Sequence, residues 1–266
     1  MNWGLENRLS RIIQKDGRAL MFAVDHGYFL GAIAGLEKPR KMLKGVTPHS
    51  DAVMLTRGML TQLSPQTGKP IILRADGGPS IAGDKLGVST LADHEIMITI
   101  EDALRLNASA VAISVFVGTE YETQTMRNLS AMVNEAKKYG LPVLAVTAVG
   151  RKLDELKDDP KYLGLACRMS AEHGADIVKT YYCTNGFEEV TGGCFVPVVM
   201  AGGKAGDGPM AALEQAHNAV SKGAIGVDMG RNIFQSENPI GMIKAVKSVV
   251  HGRLSPTEAH EKYFKG

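Results

Sequence analysis

The sequence predicts a closed (β/α)8 barrel. Eight short apolar runs, at 19–27, 52–56, 70–76, 110–117, 142–148, 176–182, 196–203 and 224–230, alternate with helical patterns along the whole chain. The runs are continuous and rich in Val, Ile and Ala, as strands covered on both faces are. The 266 residues would make two domains by the usual length prior, but α/β barrels often reach this length as one, so a single domain over 1–266 is expected. An open doubly wound sheet is the alternative. It would normally carry a glycine-rich fingerprint after the first strand, where this chain reads Asp25-His26-Gly27-Tyr28.

The intervening helices carry their own punctuation. Thr99 with Asp102 resembles a capping box opening a helix over 101–106. The stretch 121–139 places Met126, Leu129, Met132, Val133 and Ala136 at helical spacing, with Gly140 as its C′ residue and Pro142 just beyond. Asn238-Pro239 pairs an N-cap with proline at the first helical position, ahead of Ile240, Ile243, Val246 and Val250. Ser255-Pro256-Thr257-Glu258 repeats that chemistry. The longest irregular region, 76–93, holds Gly77, Gly78, Pro79, Gly83 and Gly87. A long loop in a compact domain reads as an active-site cover.

Composition sets several function classes aside. Hydrophobic residues make up 44% and charged residues 22%, ordinary for a soluble globular protein, and the net charge of +2 gives no case for nucleic acid or membrane binding. Cys167, Cys183 and Cys194 form an odd, sparse set without a C-x-x-C pair, so a reducing compartment is expected. Cys183 reads as a small buried residue. The N-terminus shows no basic-then-apolar leader, no apolar run approaches the ~20 residues of a membrane span, and a cytoplasmic location is expected. No His/Asp/Glu cluster has metal-ligand spacing, which disfavours a zinc-dependent aldolase.

In such a barrel the active site lies at the carboxyl ends of the strands, and polar residues fall there in nearly every run. Asp25 and His26 close the first, Thr56-Arg57-Gly58 the second, Arg74 and Asp76 the third, and Thr147 the fifth. Lys179 closes the sixth, Gly202-Gly203-Lys204 the seventh, and Asp228 with Gly230-Arg231 the eighth. Lys179 sits in Ile177-Val178-Lys179-Thr180-Tyr181-Tyr182, where an ammonium is costly unless paired or neutralised. The strand continuing past it argues against an easy exit to solvent, and a lysine so placed is an amine nucleophile toward carbonyl carbon. Asp25 reads either as a partner of Lys179 or proton carrier, or as a turn cap. His26 reads either as a substrate contact or a core histidine. Asp228 needs a partner, Lys179 or Arg57, in a structural or a catalytic pair.

The last two strand ends suggest phosphate. Gly202-Gly203 and Gly230-Arg231 lie where barrels commonly hold it; glycines let backbone N–H groups approach an anion, and Lys204 and Arg231 add charge. A plain pair of tight βα turns is the alternative reading of those glycines.

Val24-Asp25-His26-Gly27, Ile177-Val178-Lys179-Thr180, Val199-Met200-Ala201-Gly202-Gly203 and Gly230-Arg231-Asn232-Ile233-Phe234-Gln235 together resemble the DeoC/FbaB-type class I aldolases. The motifs occur in order through nearly the whole chain. Asn2-Trp3-Gly4, Thr56-Arg57-Gly58 and Val227-Asp228-Met229 narrow the likeness to a thiolase branch that acts in autoinducer-2 breakdown. That resemblance implies a Schiff-base lysine at Lys179, a phosphorylated keto substrate, coenzyme A as co-substrate without a bound cofactor, and a ring-based homo-oligomer. Fructose-bisphosphate aldolases of the family place a proton-donating tyrosine near the fifth strand end; Val146-Thr147-Ala148-Val149-Gly150 has none. A plain aldolase or transaldolase, with Thr147 or water in that role, and a non-catalytic sugar-phosphate-binding barrel are the other readings.

Overall fold

The computed structural model describes residues 2–150, 156–203, 206 and 208–265. Eight parallel strands close into a barrel: β1 (Ala19–Ala23), β2 (Ala52–Leu55), β3 (Ile71–Arg74), β4 (Ala110–Val117), β5 (Val143–Val149), β6 (Ile177–Thr180), β7 (Val198–Ala201) and β8 (Gly226–Met229). Each strand pairs with its sequence neighbours, and β1 closes on β8 through Ala19↔Gly226 to Phe22↔Met229. The expected fold is the observed one.

The two-residue period of a strand divides the core into two layers. Ala19, Met21, Ala52, Met54, Ile72 and Leu144 belong to the group filling the barrel interior. Leu20, Phe22, Val53, Leu55, Leu73 and Val178 belong to the layer shared with the surrounding helices. Continuous apolar runs follow directly, since neither face meets water. The helix Trp3–Ile12, an element the alternation did not foretell, packs Ile12 and Leu9 into the interior group. Arg8 Nη1 ties it to the carbonyls of Tyr139 (2.9 Å) and Gly140 (3.0 Å).

Local punctuation lands close to expectation. Thr99 Oγ1 accepts from Asp102 N ahead of helix Ile100–Arg105. Helix Glu122–Tyr139 ends on Gly140 in the left-handed region, at φ 60°. Asn238 caps Pro239–Val250, and Ser255 with Glu258 forms a full capping box on Pro256–His260. The 76–93 region is less irregular than expected. It starts on one strand of a small antiparallel ribbon (Asp76–Gly77 with Glu95–Ile96) and contains helix Ile81–Lys85.

Several strands end earlier than the apolar runs do. β1 stops at Ala23, so Asp25 and His26 stand beyond it, and Gly27–Leu30 is a helical turn. β6 stops at Thr180, so Tyr181 and Tyr182 do not extend it. An apolar run marks burial; ladder hydrogen bonds end where the chain turns over the rim.

Candidate active site

The same two-residue period that fills the interior also aims the polar residues. Ile72 and Ile177 point inward, so Arg74 and Lys179, two positions on, do too. Ala23 leads to Asp25, Ala112 to Ser114 and Gly226 to Asp228 by the same count. All five line one cavity at the carboxyl ends of the strands, about 870 Å³ counted out to its open mouth.

Two buried ion-pair groups make its floor. Lys179, 8% exposed, places Nζ 2.9 Å from Asp228 Oδ2. Pairing is therefore how this ammonium tolerates burial, and Asp228 finds its partner in Lys179, not Arg57. Burial pushes the Asp228 carboxyl above the usual carboxylate range, against the pull of Lys179. Its Oδ1 is buried and has no hydrogen-bond partner.

The second group centres on Arg74. Its Nε donates to Asp25 Oδ2 at 2.9 Å, and its Nη2 lies 2.8 Å from the same oxygen, so two nitrogens converge on one carboxylate oxygen. Its Nη1 donates to Asp76 Oδ1 (3.1 Å) and Ser114 Oγ (2.8 Å). Asp25 thus pairs with Arg74 and not with Lys179 as one reading expected. Burial favours its neutral form, but the Arg74 charge outweighs that and holds the carboxyl below its ordinary value.

His26 lines the cavity and packs edge-on against Phe234, ring centroids 5.5 Å apart. Burial lowers its pKa to about 4 against the attraction of Asp25, so it is a neutral imidazole near neutral pH. Gly202, Gly203, Gly230 and Arg231 line the same cavity, so the two glycine turns and one of the two proposed cations meet where Lys179 points. A Cβ on Gly230 would lie 2.4 Å from the Ala23 carbonyl oxygen and 2.5 Å from His26 Cε1, so only glycine fits. Gly203 turns through the left-handed region at φ 68°, and Asn232 Nδ2 donates to the Gly202 carbonyl at 2.5 Å, fastening one turn to the other.

Other expected residues stand elsewhere. Arg57 opens the short helix Arg57–Leu60, is exposed, and does not line the cavity; Thr56 spends its hydroxyl capping that helix. Lys204 lies outside the described residues. Thr147 lines the cavity, but its hydroxyl donates to the Lys179 carbonyl at 3.1 Å. Cys183 is fully buried, as expected of a small core residue. Strand-end reasoning passed over Tyr28, His94 and Tyr181, which also line the cavity. His94 follows the long loop, and its one sequence signal is a histidine returning to the rim just after a glycine-rich excursion.

The profile of the DeoC/LacD family aldolases matches residues 19–236, from β1 past β8. The chain belongs to that family. Among curated proteins it is 45% identical, over 266 residues, to the 3-hydroxy-5-phosphonooxypentane-2,4-dione thiolase of Photorhabdus laumondii, covering 99% of this chain and 88% of that one. It is 46% identical over 263 residues to the Enterobacter protein of the same name, covering 98% and 86%. Among solved structures, an archaeal fructose 1,6-bisphosphate aldolase superposes with a TM-score of 0.83 at 24% identity, over 93% of this chain and 99% of that one. The last likeness speaks for the barrel alone.

Proposed function

We propose that this family member is a Schiff-base enzyme that breaks a carbon–carbon bond in a phosphorylated diketone, moving acetyl from 3-hydroxy-5-phosphonooxypentane-2,4-dione to coenzyme A. The observation that carries the reading is Lys179: a buried amine, paired with a carboxylate, at the mouth of a barrel where two glycine turns and Arg231 converge. The names of relatives matched over nearly the full chain support the dione as substrate and a thiolase reaction.

Lys179 Nζ first passes a proton to Asp228, whose raised carboxyl is suited to take it, and attacks the ketone beside the phosphorylated carbon. Loss of water leaves an iminium conjugated toward the scissile bond. That iminium is the electron sink when the bond to the acetyl carbon breaks. Gly203, Gly230 and Arg231 hold the phosphate, which fixes which of the two ketones meets Lys179. His26, neutral, and Asp25, ionised against Arg74, face the substrate's hydroxyl and carbonyl oxygens. A second opening, about 1910 Å³ counted out into open solvent, shares Tyr181, Gly203 and Arg231 with the first, and gives a co-substrate room to approach.

Borohydride reduction in the presence of the dione, followed by peptide mapping, should place the adduct on Lys179; a protein that turns over without such an adduct would refute the mechanism. The phenol of Tyr181 on the cavity wall favours a second reading, aldol cleavage of a sugar phosphate with that phenol as proton donor. Turnover of fructose 1,6-bisphosphate, against dione turnover with and without coenzyme A, separates the two.

A further inference from the structure

His94 and Tyr28 line the cavity, yet Schiff-base formation at Lys179 makes no use of them. His94 is 3% exposed, and its Nδ1 lies 2.7 Å from Asp76 Oδ2. Asp76 accepts on every side: Oδ1 from Arg74 Nη1 at 3.1 Å, Oδ2 also from the Ser114 backbone N–H at 2.8 Å. Burial pushes that carboxyl up, but the Arg74 charge and the His94 bond outweigh it and hold it at about 2. An ionised carboxylate only accepts, so His94 Nδ1 carries a proton, and in the neutral ring the lone pair is on Nε2.

That lone pair faces the Tyr28 hydroxyl at 3.5 Å, the outer limit of a hydrogen bond. Burial raises the Tyr28 phenol well above its ordinary value, so the hydroxyl keeps its proton. It can therefore donate to Nε2 while accepting from a molecule in the cavity. The imidazole plane is fixed as well. Phe116 meets it edge-on at 4.9 Å, and the His94 carbonyl accepts from Gln124 Nε2 and Asn128 Nδ2, both at 2.9 Å. His94 thus has one nitrogen held by Asp76 and the other loosely engaged with Tyr28 at the cavity wall, a placement suited to a general base.

We infer that His94, acting through the Tyr28 hydroxyl, is the base and then the acid of the thiol half of the reaction, with Asp76 as its positioning residue. The inference rests on the acetyl-transfer reading above. As the thiol sulfur bonds to the acetyl carbonyl carbon, its proton passes to Tyr28 oxygen and the Tyr28 proton to His94 Nε2. The tetrahedral adduct re-forms its carbonyl by breaking the bond to the neighbouring hydroxyl-bearing carbon. That electron pair enters the Lys179 iminium and leaves an enamine. The imidazolium, held against the Asp76 carboxylate, returns its proton through Tyr28 to the enamine carbon, and water releases the phosphorylated ketone from Lys179. One proton leaves sulfur and one arrives at carbon, and no oxidant or reductant is needed.

Tyr28→Phe and His94→Gln should each lower kcat for acetyl transfer to coenzyme A about 10²- to 10⁴-fold, the usual weight of general acid–base catalysis. The borohydride-trapped Lys179 adduct should form as in the parent. The deficit should shrink when the acceptor is a more acidic thiol, trifluoroethanethiol against N-acetylcysteamine, because such a thiol needs less help to ionise. Asp76→Asn should follow His94→Gln through that series. Parent-like turnover in Tyr28→Phe and His94→Gln overturns the relay. So does an equal loss with every thiol, or a loss of trapped adduct matching the loss of turnover in Tyr28→Phe. A parent enzyme that traps the dione on Lys179 but moves no acetyl to any thiol overturns the acetyl-transfer reading instead, and the relay with it.

Discussion

The Lys179–Asp228 pair predicts an asymmetric response to removal of either partner. At 2.9 Å and an effective dielectric of ~20, the two charges attract by ~6 kcal/mol before desolvation is subtracted. Asp228→Asn leaves a buried ammonium with an amide beside it, and should lower unfolding free energy by about 3 kcal/mol, the low end for breaking a buried pair. Lys179→Met leaves a carboxyl that burial already pushes upward, so it escapes by taking a proton. Its cost should be about 1–2 kcal/mol and should depend on pH. The folded pKa of Asp228 then exceeds the unfolded value, so the neutral acid's contribution is whole below the ordinary carboxylate pKa. It is lost as pH rises through the raised value. Lys179→Met should therefore be relatively most stable near pH 4 and least stable in the alkaline range. Urea unfolding of the parent, both single variants and the double variant, from pH 4 to pH 9, measures all of this. The double variant should cost less than the sum of the singles by about 2 kcal/mol. A coupling under about 0.5 kcal/mol, or a Lys179→Met deficit flat with pH, would refute the claim that pairing is what permits the buried amine.

Three further outcomes follow from the geometry. Arg231→Ala should raise KM for the phosphorylated substrate about 10- to 100-fold while Arg57→Ala changes it less than about twofold, because only Arg231 lines the cavity; steady-state kinetics on both variants checks this. Gly230→Ala, which drives a methyl group into the Ala23 carbonyl, should cost about 1–3 kcal/mol by thermal unfolding and depress phosphate affinity together with stability. At the opposite end of the barrel, His251 bridges Asp16 and Asp51, and its bond to Asp51 raises the imidazole pKa despite burial. Its stabilisation is then complete below about pH 6.5 and fades as pH rises through the raised value. His251→Gln should flatten the change in denaturation midpoint between pH 6 and pH 9, and a variant that keeps the parent's pH slope would contradict the assignment.

The barrel was legible because its two apolar layers leave no strand face in water, so burial itself wrote eight continuous runs into the chain. Once Ile72 and Ile177 are seen to fill the interior, the inward aim of Arg74 and Lys179 follows by counting two residues, and the gathering of both with Asp228 at one end was legible from the ends of the apolar runs. The pairing of those charges was not. Asp25 lies 49 residues from Arg74 in sequence and Lys179 49 from Asp228, and only barrel closure decides which neighbours meet. Arg57 misled because a polar residue just past a strand can face the cavity or cap the next helix, and Thr56 supplies the cap that turns Arg57 outward. His94 was hidden because a loop residue carries no period from which to read a direction, and Tyr28 because a single helical turn is too short to show one.

The divergence of the two carboxylates sharpens the division of labour at the site. Asp25 and Asp228 both line the cavity and both are buried, yet their environments push them opposite ways. Two Arg74 nitrogens on its Oδ2 hold Asp25 below its ordinary value, which favours its ionised form. Asp228 faces one monodentate ammonium, keeps an oxygen without a partner, and is raised. The raised carboxyl is suited to take a proton from the Lys179 ammonium before attack and to return it to the hydroxyl that leaves as water when the iminium forms. Neighbouring acids whose pKa values are driven apart separate electrostatic work from proton transfer. By that rule Asp25 fixes Arg74 and, through it, Asp76 and His94, while Asp228 serves Lys179. Asp25→Asn should then slow the thiol half more than formation of the Lys179 adduct, and Asp228→Asn should do the reverse. Pre-steady-state trapping of the adduct alongside acetyl-transfer rates tests this, and equal effects of both substitutions on both steps would collapse the two charge groups into one.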